Sequence, residues 1–196
     1  MDAVRTSEGI GLDDHAPTWR PLVARPLTGT PVSAAEFAAA FRSHPAGVAV
    51  ITADPGDGPV AMTVTSVFSV SADPPLLVFS ASSTSSAVPG LLRAGSVVVH
   101  LLGAAQRNIA ALCATSGVDR FADTSLWKRL DTGEPYFPSA PVWIRGRIVD
   151  RMTAGGSTVA VVQALQTNTQ ENSAEPLVYH NRTWHRLGEA SRLPAG

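Results

Sequence analysis

Hydroxyl side chains make up most of the residues in this chain whose type and spacing suit ligand binding. Thr63, Thr65 and Ser66 share one predicted strand, and Ser80 and residues 82–86 lie at the end of another. Each O–H or backbone N–H at a strand end can donate to a phosphate oxygen, so the pattern fits an anion site. It equally fits a plain polar loop at 82–86, since such clusters are usually loops. Composition alone leaves both interpretations open.

Other catalytic and metal-binding patterns are missing from the sequence. It has no Gly-x-Gly-x-x-Gly, phosphate-loop, Gly-x-Ser-x-Gly or His-Glu-x-x-His motif. The histidines show no metal-ligand spacing beyond the weak i, i+5 pair of His180 and His185. Cys113, in an apolar helical stretch, is predicted to be a buried residue rather than a nucleophile. His100, in an apolar strand, is predicted to be a hydrogen-bonded core residue.

Length, charge and cysteine content exclude several classes of protein. With 196 residues, 44% of them hydrophobic, the chain predicts one folded domain rather than a disordered polymer. Fifteen basic and sixteen acidic residues without a basic run argue against a nucleic-acid partner. The apolar stretch 97–105 is broken by His100 and is shorter than the roughly 20 residues of a membrane span. A single cysteine and no secretory signal predict a cytoplasmic protein.

The chain is predicted to have three regions. Residues 1–32 are rich in proline and lack apolar periodicity, which indicates a flexible N-terminal arm. Residues 33–188 form the predicted domain, and residues 189–196 a C-terminal tail. The first helix is predicted at residues 34–43, because Ser33 and Glu36 match a capping box.

Runs of β-branched residues separated by turn signals follow that helix. The predicted strands are 48–52, 60–70, 76–80, 97–102, 142–151 and 158–166, with a last strand or hairpin in 176–187. A second helix is predicted at 104–114, and a short helical connection precedes residue 97. This order lacks the regular strand–helix alternation of a doubly wound sheet and favours a mostly antiparallel barrel of six to eight strands with helices at its rim.

The long predicted strand 60–70 has two different faces. A period of two places apolar side chains on one face and mainly hydroxyl side chains on the other. The packing face comprises Met62, Val64, Phe68 and Val70, and the opposite face comprises Thr63, Thr65, Val67 and Ser69.

Several motifs in order along the chain carry a family resemblance. They are Phe41 with residues 45–52, Ala61–Ser71 running into Asp73-Pro74-Pro75-Leu76, Ser83 and Ser85, residues 95–102 with Gln106, residues 119–122 with Trp127, and Leu177–His180 ahead of Arg182. Over residues 36–188 the chain resembles the flavin reductase family, the reductase components of two-component flavin monooxygenases. The resemblance implies a mainly β fold, the FMN-binding split β-barrel, with a few short peripheral α-helices.

The same resemblance implies a flavin site. The Pro-x-Gly-Val segment at residues 45–48, together with the Met-Thr-x-x-Ser strand that follows it, would hold the ring and ribityl chain. The serines after the next strand would hold the phosphate. The residues at the ring and ribityl end are Pro45, Gly47, Val48, Met62, Thr63, Val64, Thr65 and Ser66, and those at the phosphate end are Ser80, Ala81, Ser83 and Ser85.

Four further residues are placed by the resemblance. Arg120 and Phe121 would approach the flavin from a loop, or else form a loop salt bridge and a core anchor. Ser157 and His180 would lie on the nicotinamide side. Many relatives carry a histidine where this chain has Ser157, and an asparagine where it has His100.

A family member of this kind transfers a hydride from NADH or NADPH to FMN or FAD. The chemistry belongs to the two cofactors, so no side-chain acid or base is required. The resemblance implies a homodimer that delivers reduced flavin to a monooxygenase partner.

Two alternatives remain open at this point. One is a flavoprotein of the same fold that retains its flavin as an oxidase or carrier, which the departures at Ser157 and His100 favour. The other is a non-catalytic dimeric interaction module of the same fold.

Overall fold

The computed structural model describes residues 29–169 and 174–194. Its strands are β1 (Ala46–Gly47), β2 (Ala49–Ala53), β3 (Val60–Val64), β4 (Phe68–Ala72), β5 (Pro75–Ser82), β6 (Ser96–Leu101), β7 (Lys128–Arg129), β8 (Pro135–Tyr136), β9 (Val142–Ala154), β10 (Ser157–Thr169), β11 (Leu177–His180) and β12 (Thr183–Arg186). Its helices are α1 (Ala34–Arg42), α2 (Val88–Arg93) and α3 (Arg107–Ala114), with 3-10 turns at Ala104–Gln106 and Glu189–Ser191. Residues 1–28 of the predicted arm and 195–196 of the predicted tail lie outside the described residues.

Helix α1 begins where the capping box predicts. The Glu36 backbone N–H donates to Ser33 Oγ at 3.2 Å, and the Ser33 N–H donates to the Glu36 carboxylate at 2.9 Å. These bonds satisfy two of the donors that a helix start leaves unpaired. The helix ends at Arg42, before Pro45, and the prediction of a helix at 34–43 is confirmed to within one residue.

Most strands belong to one antiparallel sheet. Seven strands pair in the order β3-β2-β6-β9-β10-β5-β4, while β1-β11-β12 and β7-β8 form two small sheets. The two-residue strands β1, β7 and β8 are too short to show a sequence period, so the prediction of six to eight strands did not include them. The prediction of a mainly β, antiparallel fold with a few short helices is confirmed.

The predicted long strand 60–70 is wrong, because the chain changes sheet edge in its middle. Strand β3 pairs with β2, whereas β4 pairs with β5. Across the connection the period of two fails: Phe68 and Val70 are 62% and 55% exposed, although the period placed them on the packing face. Val67, predicted on the hydroxyl face, packs against the core instead.

This connection determines the curvature of the sheet. Strands β3 and β4 lie at opposite ends of the seven-strand order, yet only residues 65–67 join them. Four extended backbone steps span at most about 14 Å. Seven flat strands would separate the same edges by about 29 Å. The sheet must therefore curl until its two edges approach each other.

A side chain of the connection binds the neighbouring strand β5. Ser66, in the connection, donates its O–H to the Ser80 carbonyl oxygen of β5 at 2.9 Å. The same Oγ accepts the Ser80 backbone N–H at 3.1 Å. We call this pair of bonds the Ser66 clasp, and the junction of the β3 end with β5 the seam. Among the described strands β3 forms no ladder with β4 or β5, so closure of the sheet into a barrel is not confirmed.

Both faces of strand β2 are covered. On β2, Ile51 points to an inner cluster with Phe79 and Val99, whereas Val50 points to an outer cluster beneath α3. Every residue of β2 is buried as a result. Alternation between two apolar cores explains why this strand has no polar face.

His100 of β6 is fully buried and fully hydrogen-bonded. Its Nδ1 lies 3.0 Å from the Val50 carbonyl oxygen, and its Nε2 accepts the Phe137 backbone N–H at 3.1 Å. These partners assign the proton of the neutral ring to Nδ1. Burial lowers the pKa of His100 to about 4, although the bond to Val50 opposes that shift. The prediction of a hydrogen-bonded core residue is confirmed.

Cys113 of α3 is also buried, as predicted. Burial raises the pKa of its thiol to about 12, against a smaller opposing effect of the Arg120 charge. The thiolate is therefore scarce at neutral pH, and Cys113 is not a nucleophile. No helix in the described part of the chain is long and apolar enough to cross a membrane.

The burial of His100 predicts an acid-sensitive stability. The free energy of unfolding should fall as the pH drops from about 6.5 to about 4, because only the unfolded chain binds a proton at His100 in this window. At 1.36 kcal/mol per pKa unit, the full loss is about 3 kcal/mol. Urea unfolding at several pH values measures it. The His100→Asn variant should show a shallower slope over this window, and equal slopes would contradict the assignment.

The Ser66 clasp predicts a local cost for its removal. Ser66→Ala should lower the free energy of unfolding by about 1–3 kcal/mol, because the Ser80 N–H and carbonyl lose their partner. Ser69→Ala is the matched control, since Ser69 is exposed on β4, and its effect should stay within about 0.5 kcal/mol. Equal urea midpoints for the two variants would show that the clasp contributes nothing.

Candidate functional site

The hydroxyl residues near the seam have different tasks. Thr63 donates its O–H to the Ala110 carbonyl oxygen of α3 at 2.7 Å, and Ser66 forms the clasp. Thr65 is exposed and forms no side-chain hydrogen bond within the described residues. Of the three hydroxyls predicted at the ring end, only that of Thr65 is free to donate to a ligand.

Most other residues predicted at the ring end present only backbone atoms to a ligand, because their side chains point into the core or are absent. Met62 and Val64 point into the inner cluster, and Val48 points into the outer one. Pro45 and Gly47 are exposed, and Gly47 lies on β1, which pairs with β11. A ligand at the seam would therefore contact backbone atoms and small side chains here.

Residues 82–86, the last residue of β5 and the four that follow it, form the serine loop. Ser82 and Thr84 bind each other, Oγ to Oγ1, at 2.9 Å. The hydroxyls of Ser83 and Ser85 form no hydrogen bond to any described residue, and Ser83 is exposed. The two serines predicted to hold a phosphate thus both have an unused hydroxyl, as does the exposed Ser86. Ser80, whose backbone forms part of the clasp, is half-buried on β5, and Ala81 after it is buried.

Backbone contacts hold the serine loop in place. The Ser83 N–H donates to the Gly156 carbonyl oxygen at 2.9 Å, and the Ser85 N–H donates to the Ser82 carbonyl oxygen at 3.0 Å. Helix α2 then lies directly against β3, where a β-carbon at Gly90 would be only 2.8 Å from Val60 Cγ1. The absence of a side chain at Gly90 allows this close approach, which positions the loop beside the seam.

The two residues predicted on the nicotinamide side lie in different places. Ser157 begins β10 opposite Ser82, in a turn that follows Gly155 at φ 58°, and so it borders the serine loop. His180 lines a groove of about 330 Å³ together with Thr65. The structure therefore brings Ser157 to the predicted phosphate end and His180 to the ring end.

Several residues without a predicted role line this groove, which we call the cationic groove. Helix α1 contributes Phe41 and Arg42, and the β11–β12 hairpin contributes Tyr179 and Arg182. Phe41, Tyr179 and Arg182 occur in the motifs of the family resemblance, but only the three-dimensional contact of α1 with the hairpin places them together with Arg42.

Arg120 and Phe121 make different kinds of contact. Phe121 is buried in the outer cluster, with its ring centroid 6.1 Å from that of Phe137 and 5.1 Å from that of Trp127. Arg120 donates to the Thr115 carbonyl oxygen at 2.8 Å, and it forms no ion pair with a described residue. Phe121 thus has the contacts of a core anchor, and Arg120 those of a cap on the end of α3.

The predicted phosphate end and Thr65 offer hydrogen-bond donors, and His44 and His180 line the groove beside Thr65. Among residues 29–169 and 174–194, no group of three His, Cys, Asp or Glu side chains is placed to hold a metal ion. The unused hydroxyls of Ser83 and Ser85 suit a phosphate, and the exposed Thr65 hydroxyl and nearby backbone suit a polar ring. The residues present therefore fit a phosphate-bearing planar cofactor such as a flavin.

Comparison with known proteins agrees with this geometry. Residues 41–188 match the family model described as the flavin reductase like domain. The chain is 41% identical over 168 residues to an NADH:FMN oxidoreductase of Rhodococcus qingshengii, and the match covers 84% of this chain and 88% of that protein.

Solved structures share the fold. A flavin reductase domain protein from Arthrobacter sp. FB24 superposes with a TM-score of 0.74 at 29% identity, covering 83% of this chain and 97% of that one. The flavin reductase component of a bacterial two-component tryptophan halogenase superposes with a TM-score of 0.72 at 30% identity, covering 80% and 99%. The protein described here belongs to the family defined by the flavin reductase like domain.

Proposed function

We propose that this protein is an NAD(P)H:flavin oxidoreductase that supplies reduced flavin to a partner monooxygenase. The observation that carries the proposal is its 41% identity to the Rhodococcus NADH:FMN oxidoreductase across 84% of the chain. The resemblance to a halogenase reductase component supports a role in a two-component system.

The residues of the seam would bind and orient the flavin. Ser83 and Ser85 donate to its phosphate, while Thr65 and the neighbouring backbone border its ring. The clasp holds the Ser80 backbone, between these two ends, in place. A bound flavin would supply the redox chemistry, as the acceptor of the hydride of a reduced nicotinamide. The chain itself needs to hold both rings at reacting distance, without a side-chain acid or base.

We extend the proposal to the assembly. Phe68, Leu101 and Leu165 are large apolar side chains exposed on the sheet, and Phe68 and Leu101 also line an apolar groove of about 330 Å³. Contiguous apolar surface of this kind favours a protein interface, and a two-fold homodimer is its simplest form. The split barrel implied by the resemblance is consistent with the curled sheet and its seam. The lone, buried Cys113 suits a reducing cytoplasm.

One observation bears on the alternative of a flavoprotein that retains its flavin. Two departures favoured it, His100 and Ser157. His100 is a core residue whose ring nitrogens are both bonded to backbone, so it does not act on a flavin. Only the turn at Ser157, beside the serine loop, still favours that alternative.

Steady-state assays separate these possibilities. We expect oxidation of NADH or NADPH only when FMN, FAD or riboflavin is added, with turnover that continues after any copurified flavin has been reduced. A protein that binds FMN without such turnover would be a carrier. Absence of FMN binding after removal of excess FMN would favour the interaction module.

The serine loop gives a sharper prediction for the phosphate end. Replacing both Ser83 and Ser85 with alanine removes two charge-assisted hydrogen bonds, so FMN affinity should fall by at least about tenfold. Riboflavin, which has no phosphate, should lose little affinity. Quenching of flavin fluorescence measures both constants.

The matched control for this double variant is the neighbouring pair. Ser82→Ala with Thr84→Ala removes two hydroxyls that bind each other, and FMN affinity should stay within about threefold of the original. Equal losses for FMN and riboflavin, or for the two double variants, would contradict the assignment of Ser83 and Ser85.

A further inference from the structure

The β11–β12 hairpin contains an unusual backbone conformation. Its two central residues, Asn181 and Arg182, have φ angles of 48° and 62°. Among the described residues these are the only non-glycine residues with positive φ. Two-residue hairpins of this geometry favour asparagine followed by glycine, because a β-carbon is strained in this region.

Arginine is therefore an unfavourable choice at position 182. Asparagine tolerates the left-handed region, whereas arginine is strained there by its β-carbon. Glycine would adopt the same backbone conformation with less strain. Strained residues of this kind occur where the side chain has a function. The strain at position 182 therefore favours a function for the guanidinium of Arg182.

Arg182 lines the cationic groove together with Arg42. The Asn181 N–H donates to the Arg42 carbonyl oxygen at 3.0 Å, which fixes the hairpin turn against the end of α1. Among residues 29–169 and 174–194, no acidic residue lines the groove, although two histidines, His44 and His180, do. Neither arginine forms an ion pair within the described part of the chain. Two unpaired guanidinium groups in one groove suit an anionic ligand with several phosphate oxygens.

The position of the groove indicates which anionic ligand binds there. This step rests on the proposed function. Ser83 and Ser85 account for the flavin phosphate and do not line the groove, whereas Thr65, at the ring end, does. A nicotinamide coenzyme that stacks on the flavin ring carries its pyrophosphate one ribose away from the nicotinamide. We propose that Arg182, with Arg42, binds the pyrophosphate of NAD(P)H in the cationic groove.

The hairpin geometry identifies a variant that should keep the fold and its stability. Arg182→Gly removes the guanidinium and places at φ 62° the residue that suits this angle. Its melting temperature should equal or exceed that of the original protein. The KM for NADH should rise about tenfold, the effect of one lost charge-assisted bond to phosphate, with kcat little changed. Arg42→Gln should act in the same direction.

Three further measurements isolate the phosphate contact. The KM for 1-benzyl-1,4-dihydronicotinamide, a hydride donor without phosphate, should not change in Arg182→Gly. The FMN dissociation constant should not change either. The dissociation constant of NAD⁺, measured by calorimetry, should rise with the KM for NADH. The control variant Arg192→Gln removes an equal charge from an exposed arginine that pairs with Glu189, and it should leave all four constants unchanged.

Several outcomes would overturn the inference. A weaker FMN affinity in Arg182→Gly would assign the arginine to the flavin, and an equal loss with the benzyl donor would assign it to the hydride step. Unchanged NADH and NAD⁺ constants would show that it has no role in coenzyme binding. If the original protein oxidises neither NADH nor NADPH with any flavin, the proposed function fails, while the NAD⁺ measurement still tests the arginines.

Discussion

A three-residue connection between opposite sheet edges is the constraint on which this structure depends. Residues 65–67 are too short to cross a flat seven-stranded sheet, so the sheet must curl and bring β3 close to β5. Curling creates an inner core on the concave side and leaves the outer face to α3. It also creates a seam at which backbone groups of two edges are not paired by a ladder. The Ser66 clasp satisfies two of those groups and holds the seam together.

The candidate site follows from that seam. Edge backbone, one free threonine hydroxyl and a serine loop with the unused Ser83 and Ser85 hydroxyls lie along it, and these groups suit a ligand with a polar ring and a phosphate. They supply no general acid, general base or metal ligand. Hydride transfer between two cofactors needs none of these, because the reactivity belongs to the cofactors and the protein contributes their orientation. The proposed reaction therefore explains why the sequence has none of the catalytic motifs sought.

Local signals in the sequence predicted the local structure. The capping box located α1, and β-branched runs located β2, β5, β6, β9 and β10, because these features depend on neighbouring residues alone. The strand at 60–70 failed because a change of pairing partner is a tertiary event with no Gly or Pro signal in Thr65-Ser66-Val67. Hydroxyl spacing identified the region of the site, but only the structure shows that Thr63 and Ser66 are engaged while Thr65, Ser83 and Ser85 are free. Positive φ at Arg182 was likewise invisible, since Asn-Arg is not a recognised hairpin pair.

Hydrogen–deuterium exchange with and without FMN tests most directly whether the flavin lies across the seam. Our account predicts slower exchange on FMN binding in two separate segments, residues 63–67 and residues 80–86, because the ligand would cover both edges and reduce their local opening. The central strand β9 should exchange at the same rate in both states. Protection in only one of the two segments, or protection elsewhere with both unchanged, would contradict a flavin site built across the seam.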